Sequence, residues 1–417
     1  MHVRAIRFTI LLRIIFIYRT YAVLYKGYRM DYTLNKTHEV NSMTSQRLYT
    51  NTRPLFKEVL MHLTTIGVIA CLSPTQFHVI ALYITGLILL DKRQNACRIS
   101  RWLPARSHDA INRLLRVIPF STRIIMALLI AFAQSQGCRG YLCIDDVVVP
   151  KPFAKKIPWV GWAYSSTEGK PIRGLHIVVV LWCCWPFKIP VDFRLWRPKD
   201  KCSTKHYRTK LELAKAMVVE ILNTGLPFLF IAFDSWYNAR WFTRFLSNCH
   251  VIWVSQLPCN AKVVYRNKKR AVSELVKIVK LKWRSHLEVC AVAIRVYLPE
   301  YGQVRLVVTK DGQGRYEYLV TNKLDADLTW VVMAKCLRWD IEVLFRGAKQ
   351  LAGLGACQCY VYRAMVRHVA LVMLSYVMLQ LLWTDLSETV DSVKERKQLY
   401  IVTGGMAPPT PLRARTM

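Results

Sequence analysis

A chain of 417 residues is long enough for two or three domains, each with a buried core. Its formal net charge of +34, from 60 Lys and Arg against 26 Asp and Glu, lies far outside the range of a soluble enzyme of small molecules. A surplus of that size implies a polyanionic partner, either nucleic acid or an anionic membrane.

The basic residues run along the whole chain, including Arg98, Arg101, Arg106, Arg113 and the stretch 262–270, so the charge belongs to folded surface and not to a tail. The 13 cysteines form no pair of C-x-x-C motifs and no Cys/His array with zinc spacing. They read as free, mostly buried thiols in a reducing cytoplasm, the expected location. Two apolar stretches, 6–18 and 370–383, are short for a membrane span, and the second reads as a buried helix. No membrane partner is expected. Residues 1–51 read as poorly ordered, or as sequence upstream of a start at Met30 or Met43.

Residues 54–133 show apolar positions at helical spacing, as at Leu60, Ile66 and Val68. Within them lies a two-helix pattern: 96–103, a break at Pro104-Ala105-Arg106, then 107–117 with Ser107 as N-cap. It fits a helix-turn-helix, with Ser107, His108, Asn112 and Arg113 available to a DNA groove, as is Arg106; a small helical bundle gives the same pattern.

From Gly140 the character changes. Strands are expected at 140–149, at 176–184 (a continuous Val-rich run) and at 188–196 (alternating), then a helix at 205–223. A strand at 228–234, a helix at 238–246 and a strand at 250–257 follow. Three strands, then helix, strand, helix, strand, is the order of a ribonuclease H-like α/β fold, a mixed sheet with flanking helices. A basic stretch, 260–270, precedes strands at 287–298, 304–310 and 316–321, which read as a small antiparallel insertion. Residues 328–351 read as one helix, interrupted after it by Gly353 and Gly355, and 360–383 as an apolar helix. The expected segments are therefore 1–51; a helical DNA-binding domain at 52–135; the first part of a catalytic domain at 136–258; a β-rich basic insertion at 259–325; final catalytic helices at 326–385; and a tail at 386–417 carrying Pro408, Pro409 and Pro411.

Carboxylates are scarce, so those in apolar strands carry information. Asp146 and Asp234 read as the ends of hydrophobic strands, where an acid is costly unless solvated, hydrogen-bonded or metal-bound. Paired carboxylates suit Mg²⁺ or Mn²⁺. Asp234 could equally cap the helix that follows. In Arg338-x3-Glu342-x6-Lys349, helical spacing puts all three residues on one face, either as a salt-bridge stripe or as one metal ligand flanked by phosphate-binding cations.

Together, Ile144-Asp145-Asp146-Val147 with Lys151-Pro152, Phe233-Asp234-Ser235-Trp236-Tyr237, and Arg338-x3-Glu342-x6-Lys349 resemble the three motifs of DDE-type insertion-sequence transposases, in the branch with a β-strand insertion before the last acid. One departure is Lys335, where that branch carries Tyr. The resemblance implies a DNA transposase holding two Mg²⁺ or Mn²⁺ ions on Asp146, Asp234 and Glu342. The register of the first motif selects Asp146, with Asp145, on the opposite strand face, as the alternative. It also implies phosphate contacts from Arg338 and Lys349, and a homodimer gripping terminal inverted repeats and target DNA. Trp236 and Tyr237 are candidates for stacking on a displaced base, with Trp253 assigned to the core. Lys262, Lys268, Lys269 and Arg270 are candidates for lining DNA. The alternative function is a catalytically inactive, transposase-derived DNA-binding protein.

Overall fold

A computed structural model describes residues 45–382, except 91–93, 104–106, 119, 155–156, 158 and 166–168. The N-terminal segment to residue 44, Arg106 with its helix break, and the tail at 386–417 lie outside the described residues. By their contacts the described residues divide into two compact units: those within 45–229 together with 340–382, and 230–339. This grouping differs from the segments read off the sequence, because the N-terminal helices share a unit with the first strands and the last helices.

The larger unit opens with α1 (Ser45–Thr65), α2 (Pro74–Leu89), α3 (Ala96–Trp102), α4 (His108–Arg116) and α5 (Thr122–Ser135). Starts are set by local chemistry. Ser73 and Gln76 form a capping box at α2, Asn95 caps α3, and the Ser107 hydroxyl accepts from the Ala110 amide at α4. Strands β1 (Gly140–Pro150), β2 (Gly161–Ser165), β3 (Lys170–Cys184) and β4 (Phe187–Trp196) are antiparallel; β3 pairs with each of the other three. Then comes α6 (Lys210–Asn223), started by a Thr209–Glu212 capping box, which is why it begins later than the apolar pattern alone suggests. After the smaller unit the chain returns with α10 (Trp339–Gln350) and α11 (Tyr362–Leu382).

α11 is long and apolar enough to cross a membrane, yet it is buried from Ala364 to Gln380 with few gaps, so it is the core helix the sequence implied. It packs on α1, α2, α4, α5 and β4. Arg367 on α11 donates to the carbonyls of Leu114 and Leu115, placing a cation at the C-terminal end of α4 where the helix dipole favours it. Gly347 brings α10 close to α11, since a Cβ there would lie 2.9 Å from the Tyr376 ring. β4 does not alternate as expected. It is buried continuously from Lys188 to Phe193, because α5, α6 and α11 all pack on it.

In the smaller unit, β5 (Phe228–Phe233) runs parallel to β6 (Trp253–Gln256), with α7 (Arg240–Asn248) between them in sequence. The antiparallel insertion is present as β10 (Val289–Leu298), β11 (Gly302–Lys310) and β12 (Tyr316–Thr321). It extends the sheet, since β12 pairs with β6. Three elements were not legible as strands: the hairpin β7 (Lys262–Tyr265) and β8 (Lys268–Ala271), and the short β9 (Lys282–Arg284) on β10. A short α8 (Val272–Leu275) follows the hairpin, and α9 (Leu328–Leu337) ends the unit. The mixed α/β class with flanking helices, in the strand and helix order of a ribonuclease H-like fold, is as expected.

The cysteines are not all free. Cys138 and Cys184 are joined, because the register pairing Tyr141 with Cys183 brings the ends of β1 and β3 together, their Cα atoms 6.7 Å apart. Of the free thiols only Cys143, Cys183 and Cys357 are buried.

Asp192 on β4 pairs with Arg194, whose guanidinium also reaches Glu220 on α6 at 2.7 Å. Burial nonetheless pushes the Asp192 carboxyl up to about 6 from an ordinary 3.8, against the pull of Arg194. A folded value above the unfolded one means that the native state holds the extra proton between these limits, so the Asp192 contribution falls as pH rises from about 4 to about 6. Asp192→Asn is therefore expected to flatten that part of the stability profile, measured by denaturant unfolding at pH 4.5 and pH 7 (~2.5 units apart). An unchanged slope would show that Asp192 titrates normally.

Candidate active site

Asp146 lies in the middle of β1, paired with Val178 of β3, and not at a strand end as the sequence suggested. Val147 to Pro150 continue the same ladder, so the strand covers the expected 140–149 and Asp146 lies inside it. Asp146 is met by the Lys210 ammonium, 2.5 Å from its Oδ2, both side chains about 15% exposed or less (14% and 15%). Asp145 points to the other strand face. One of its oxygens accepts from the Asp146 amide at 2.8 Å.

Asp234 follows β5 directly. Its Oδ1 accepts from the amides of Trp236 and Tyr237 at 3.0 and 3.2 Å, so it caps the short 3-10 turn Ser235–Tyr237. The Ser255 hydroxyl of β6 donates to its carbonyl. The capping role weighed for this residue is therefore present. In the same unit a narrow crevice at the C-terminal ends of β5 and β6 is lined by Phe233, Ser255, Gln256, Lys335 and Arg338. Lys335 reaches both carboxylate oxygens of Glu317 at 2.7 and 3.0 Å, and Gln256 donates to the same group.

The single helix expected over 328–351 is two helices. Arg338 is the C-cap of α9, its amide bonded to the carbonyls of Lys335 and Cys336, and α10 begins at Trp339. Arg338 is thus a joint residue and not a member of the helix that bears Glu342. Glu342 and Lys349 do share α10 and, seven residues apart, one face of it. The orientation of α10 is set by a group the sequence reading missed. Asp340 is buried, its Oδ1 2.8 Å from the Lys188 ammonium of β4, and its other oxygen accepts from the Tyr141 hydroxyl of β1. Burial and the Asp340 charge push the Tyr141 phenol well up. Lys188 was the available signal, a lysine inside an apolar strand between Phe187 and Ile189. Past the helix, Gly353 adopts a left-handed φ of 67° and Lys151 donates to the carbonyls of Gly355 and Cys357, tying this loop to the end of β1.

The other expected DNA contacts divide. Trp236 is 54% exposed, its ring edge-on to that of Tyr237 at 4.9 Å, whereas Tyr237 is fully buried and has no face left for a base. Trp253 is in the core, as read. Asn112 is half-buried and Arg113 exposed on α4. Arg266 and Asn267 turn the β7–β8 hairpin at positive φ, and its register pairs Lys262 with Ala271 and Val264 with Lys269. Lys262 and Lys269 therefore share one face, and Lys268 and Arg270 the other. The four cations emerge from two faces of the hairpin, which a continuous basic stretch could not reveal.

Among the described residues no three His, Cys, Asp or Glu side chains stand together as a ready metal cage. The donor chemistry nevertheless fits a hard divalent ion: the candidate ligands are all carboxylates, and a cation already sits on Asp146.

A mixed α/β fold bears candidate acids on β1, after β5 and on α10, in a chain of net charge +34, features that fit an enzyme of polyanions. Residues 68–275 match the family described as "DDE superfamily endonuclease", and residues 191–390 the family described as "Archaeal putative transposase ISC1217". Both matches cover Asp234; the first adds Asp146 and the second Glu342. The chain belongs to the DDE-type insertion-sequence transposases. It is 23% identical over 257 residues to the "Probable transposase for insertion sequence element IS701" of Microchaete diplosiphon, a match spanning 60% of this chain and 65% of that protein. It is also similar, at 12% identity and a TM-score of 0.46, to a piggyBac transposase solved in a synaptic complex with hairpin DNA, over 89% of this chain and 84% of that one.

Two outcomes are expected. Asp340→Ala strands the Lys188 ammonium and should destabilise the fold by about 3–5 kcal/mol in denaturant unfolding, while Asp340→Leu with Lys188→Met should recover most of the loss. An Asp340→Ala loss below about 1 kcal/mol would make the pair incidental. In DNA binding, Lys262→Ala/Lys269→Ala and Lys268→Ala/Arg270→Ala should differ, one pair lowering the salt slope by about 2 and the other leaving it unchanged. Equal effects would remove the two-faced description of the hairpin.

Proposed function

We propose that the protein is a metal-dependent DNA transposase. It binds the terminal inverted repeats of its element as a dimer, nicks DNA by hydrolysis and joins the freed end to target DNA. The reading rests above all on the family matches running from residue 68 to 390 across all three acids, and is supported by the charge of +34. It acts on double-stranded DNA in the cytoplasm of a bacterial or archaeal type of cell.

Asp146, Asp234 and Glu342 would hold two Mg²⁺ or Mn²⁺ ions, with Asp145 the alternative to Asp146. Bound there, such ions supply activation of a water or a 3′-hydroxyl and neutralise charge at the leaving oxygen. The remaining work falls to the chain's own cations and rings. Arg338, at the joint before α10, and Lys349, two turns beyond Glu342, neutralise phosphates on either side of the scissile bond. Trp236, exposed beside Asp234, offers its ring to an unstacked base. Arg113 and Asn112 on α4 engage a groove through a helix-turn-helix formed with α3, and Arg106 belongs to its connecting segment. Positioning and charge neutralisation carry such a reaction, with no covalent protein intermediate.

The test is a nicking assay on linear DNA bearing the element's own ends, with Mn²⁺ supplied. Wild type is expected to nick, and Asp234→Asn and Glu342→Gln to lose nicking by at least ~10³-fold while still shifting the same DNA. Wild-type binding without Mn²⁺-dependent nicking would favour the alternative, an inactive transposase-derived DNA-binding protein. Loss of binding and folding together in both variants would make these acids structural.

A further inference from the structure

Lys210 occupies an electrostatically awkward place. It is the first residue of α6 after the N-cap Thr209, where the helix dipole is positive and an acid, not a base, is favoured. The capping box does not need it. The Thr209 hydroxyl accepts from the Glu212 amide at 3.2 Å, and Glu212 returns a bond to the Thr209 amide at 2.7 Å. The Lys210 side chain is drawn inward, 14% exposed, with its ammonium 2.5 Å from Asp146 Oδ2.

Two uncharged rings lie near the ammonium. It lies 5.9 Å from the Trp196 ring centroid. His176 on β3 is fully buried, edge-on to Trp196 at 5.3 Å, with neither ring nitrogen hydrogen-bonded. Burial, reinforced by Lys210, holds that imidazole down to about 4, so it adds no second cation at neutral pH. A mostly buried ammonium at an unfavourable helix end, held against the Asp146 carboxylate, is expensive to keep unless that carboxylate must be neutralised.

We propose that Lys210 is a built-in counter-cation that competes with the divalent ion for Asp146, holding this carboxylate oriented in the metal-free protein and yielding it when metal loads. The inference rests on the proposed metal site and names a positioning residue for it. It sets a threshold: loading requires displacing a paired ammonium, so adventitious occupancy at low metal concentration is suppressed.

The experiment uses the full chain and Mn²⁺ alone, titrated by calorimetry, with melting in EDTA and in Mn²⁺. Lys210→Met should bind Mn²⁺ about tenfold more tightly than wild type. It should also melt lower in EDTA, with most of that gap closed by Mn²⁺, while Lys210→Arg keeps wild-type affinity. In the Asp146→Asn background, Lys210→Met should leave Mn²⁺ affinity unchanged. Acylation of wild-type lysines gives a measurement free of folding artefacts: Mn²⁺ should raise labelling of Lys210 several-fold relative to other lysines. A folded Lys210→Met with wild-type or weaker Mn²⁺ affinity, or Lys210 labelling indifferent to Mn²⁺, overturns the inference. Wild type that binds Mn²⁺, with binding lost in Asp234→Asn, leaves the proposed function standing in either case. Wild type that binds none overturns both.

Discussion

The buried charge group of Lys188, Asp340 and Tyr141 constrains most of what surrounds it. Two ionised side chains, each 10% exposed, have been taken largely out of water. They are tolerable there only because each finds the other and Tyr141 supplies a further hydrogen bond. The group ties α10 to β1 and β4 at once. Asp340 must face inward, and at about 100° per residue Glu342, two positions on, must face elsewhere. Lys349 follows Glu342 onto the same stripe. The rotation of α10 about its axis, and with it the direction in which a carboxylate and a cation are offered, is thus set by an acid that takes no part in the proposed chemistry.

A second constraint acts on β1. Asp146 sits within a ladder of buried valines on β3, in surroundings that disfavour a bare carboxylate. Lys210 answers that demand from the first turn of α6, and the capping box that starts α6 fixes where the lysine emerges. Lys151, just past β1, fastens the loop that leaves α10. Each element bearing a candidate ligand in this unit is therefore held by a specific charge pair or hydrogen bond in addition to apolar packing.

Much of the fold could be read from the chain because period and composition agreed. The Val-rich 176–184, the strand ending in Phe233, the apolar 360–383 and the insertion strands all appear where expected. The candidate acids were legible through their neighbours, Trp236 and Tyr237 after Asp234, and Lys349 after Glu342. What was not legible depended on contacts distant in sequence. No local pattern shows that Asp340 reaches Lys188 and Tyr141, that Cys138 meets Cys184, or that Tyr237 turns into the core while Trp236 stays out. The place of Asp146 misled for a similar reason: an acid inside an apolar run looks like a terminus, although the strand expected at 140–149 already ran past it, as the ladder with β3 does. The break at Arg338 was invisible because its backbone stays in the helical region while the hydrogen bonding tightens. Lys188 and Lys210 shared one overlooked signal, a basic residue where apolar or acidic neighbours are the rule.

The proposal that most needs testing is that Asp146, Asp234 and Glu342 serve one metal centre. The most direct measurement is anomalous diffraction at the manganese edge from crystals of the protein bound to its end DNA in Mn²⁺. The account expects manganese with oxygens of all three carboxylates at roughly 2.0–2.3 Å. Manganese bound without Glu342, or on other residues altogether, would contradict it.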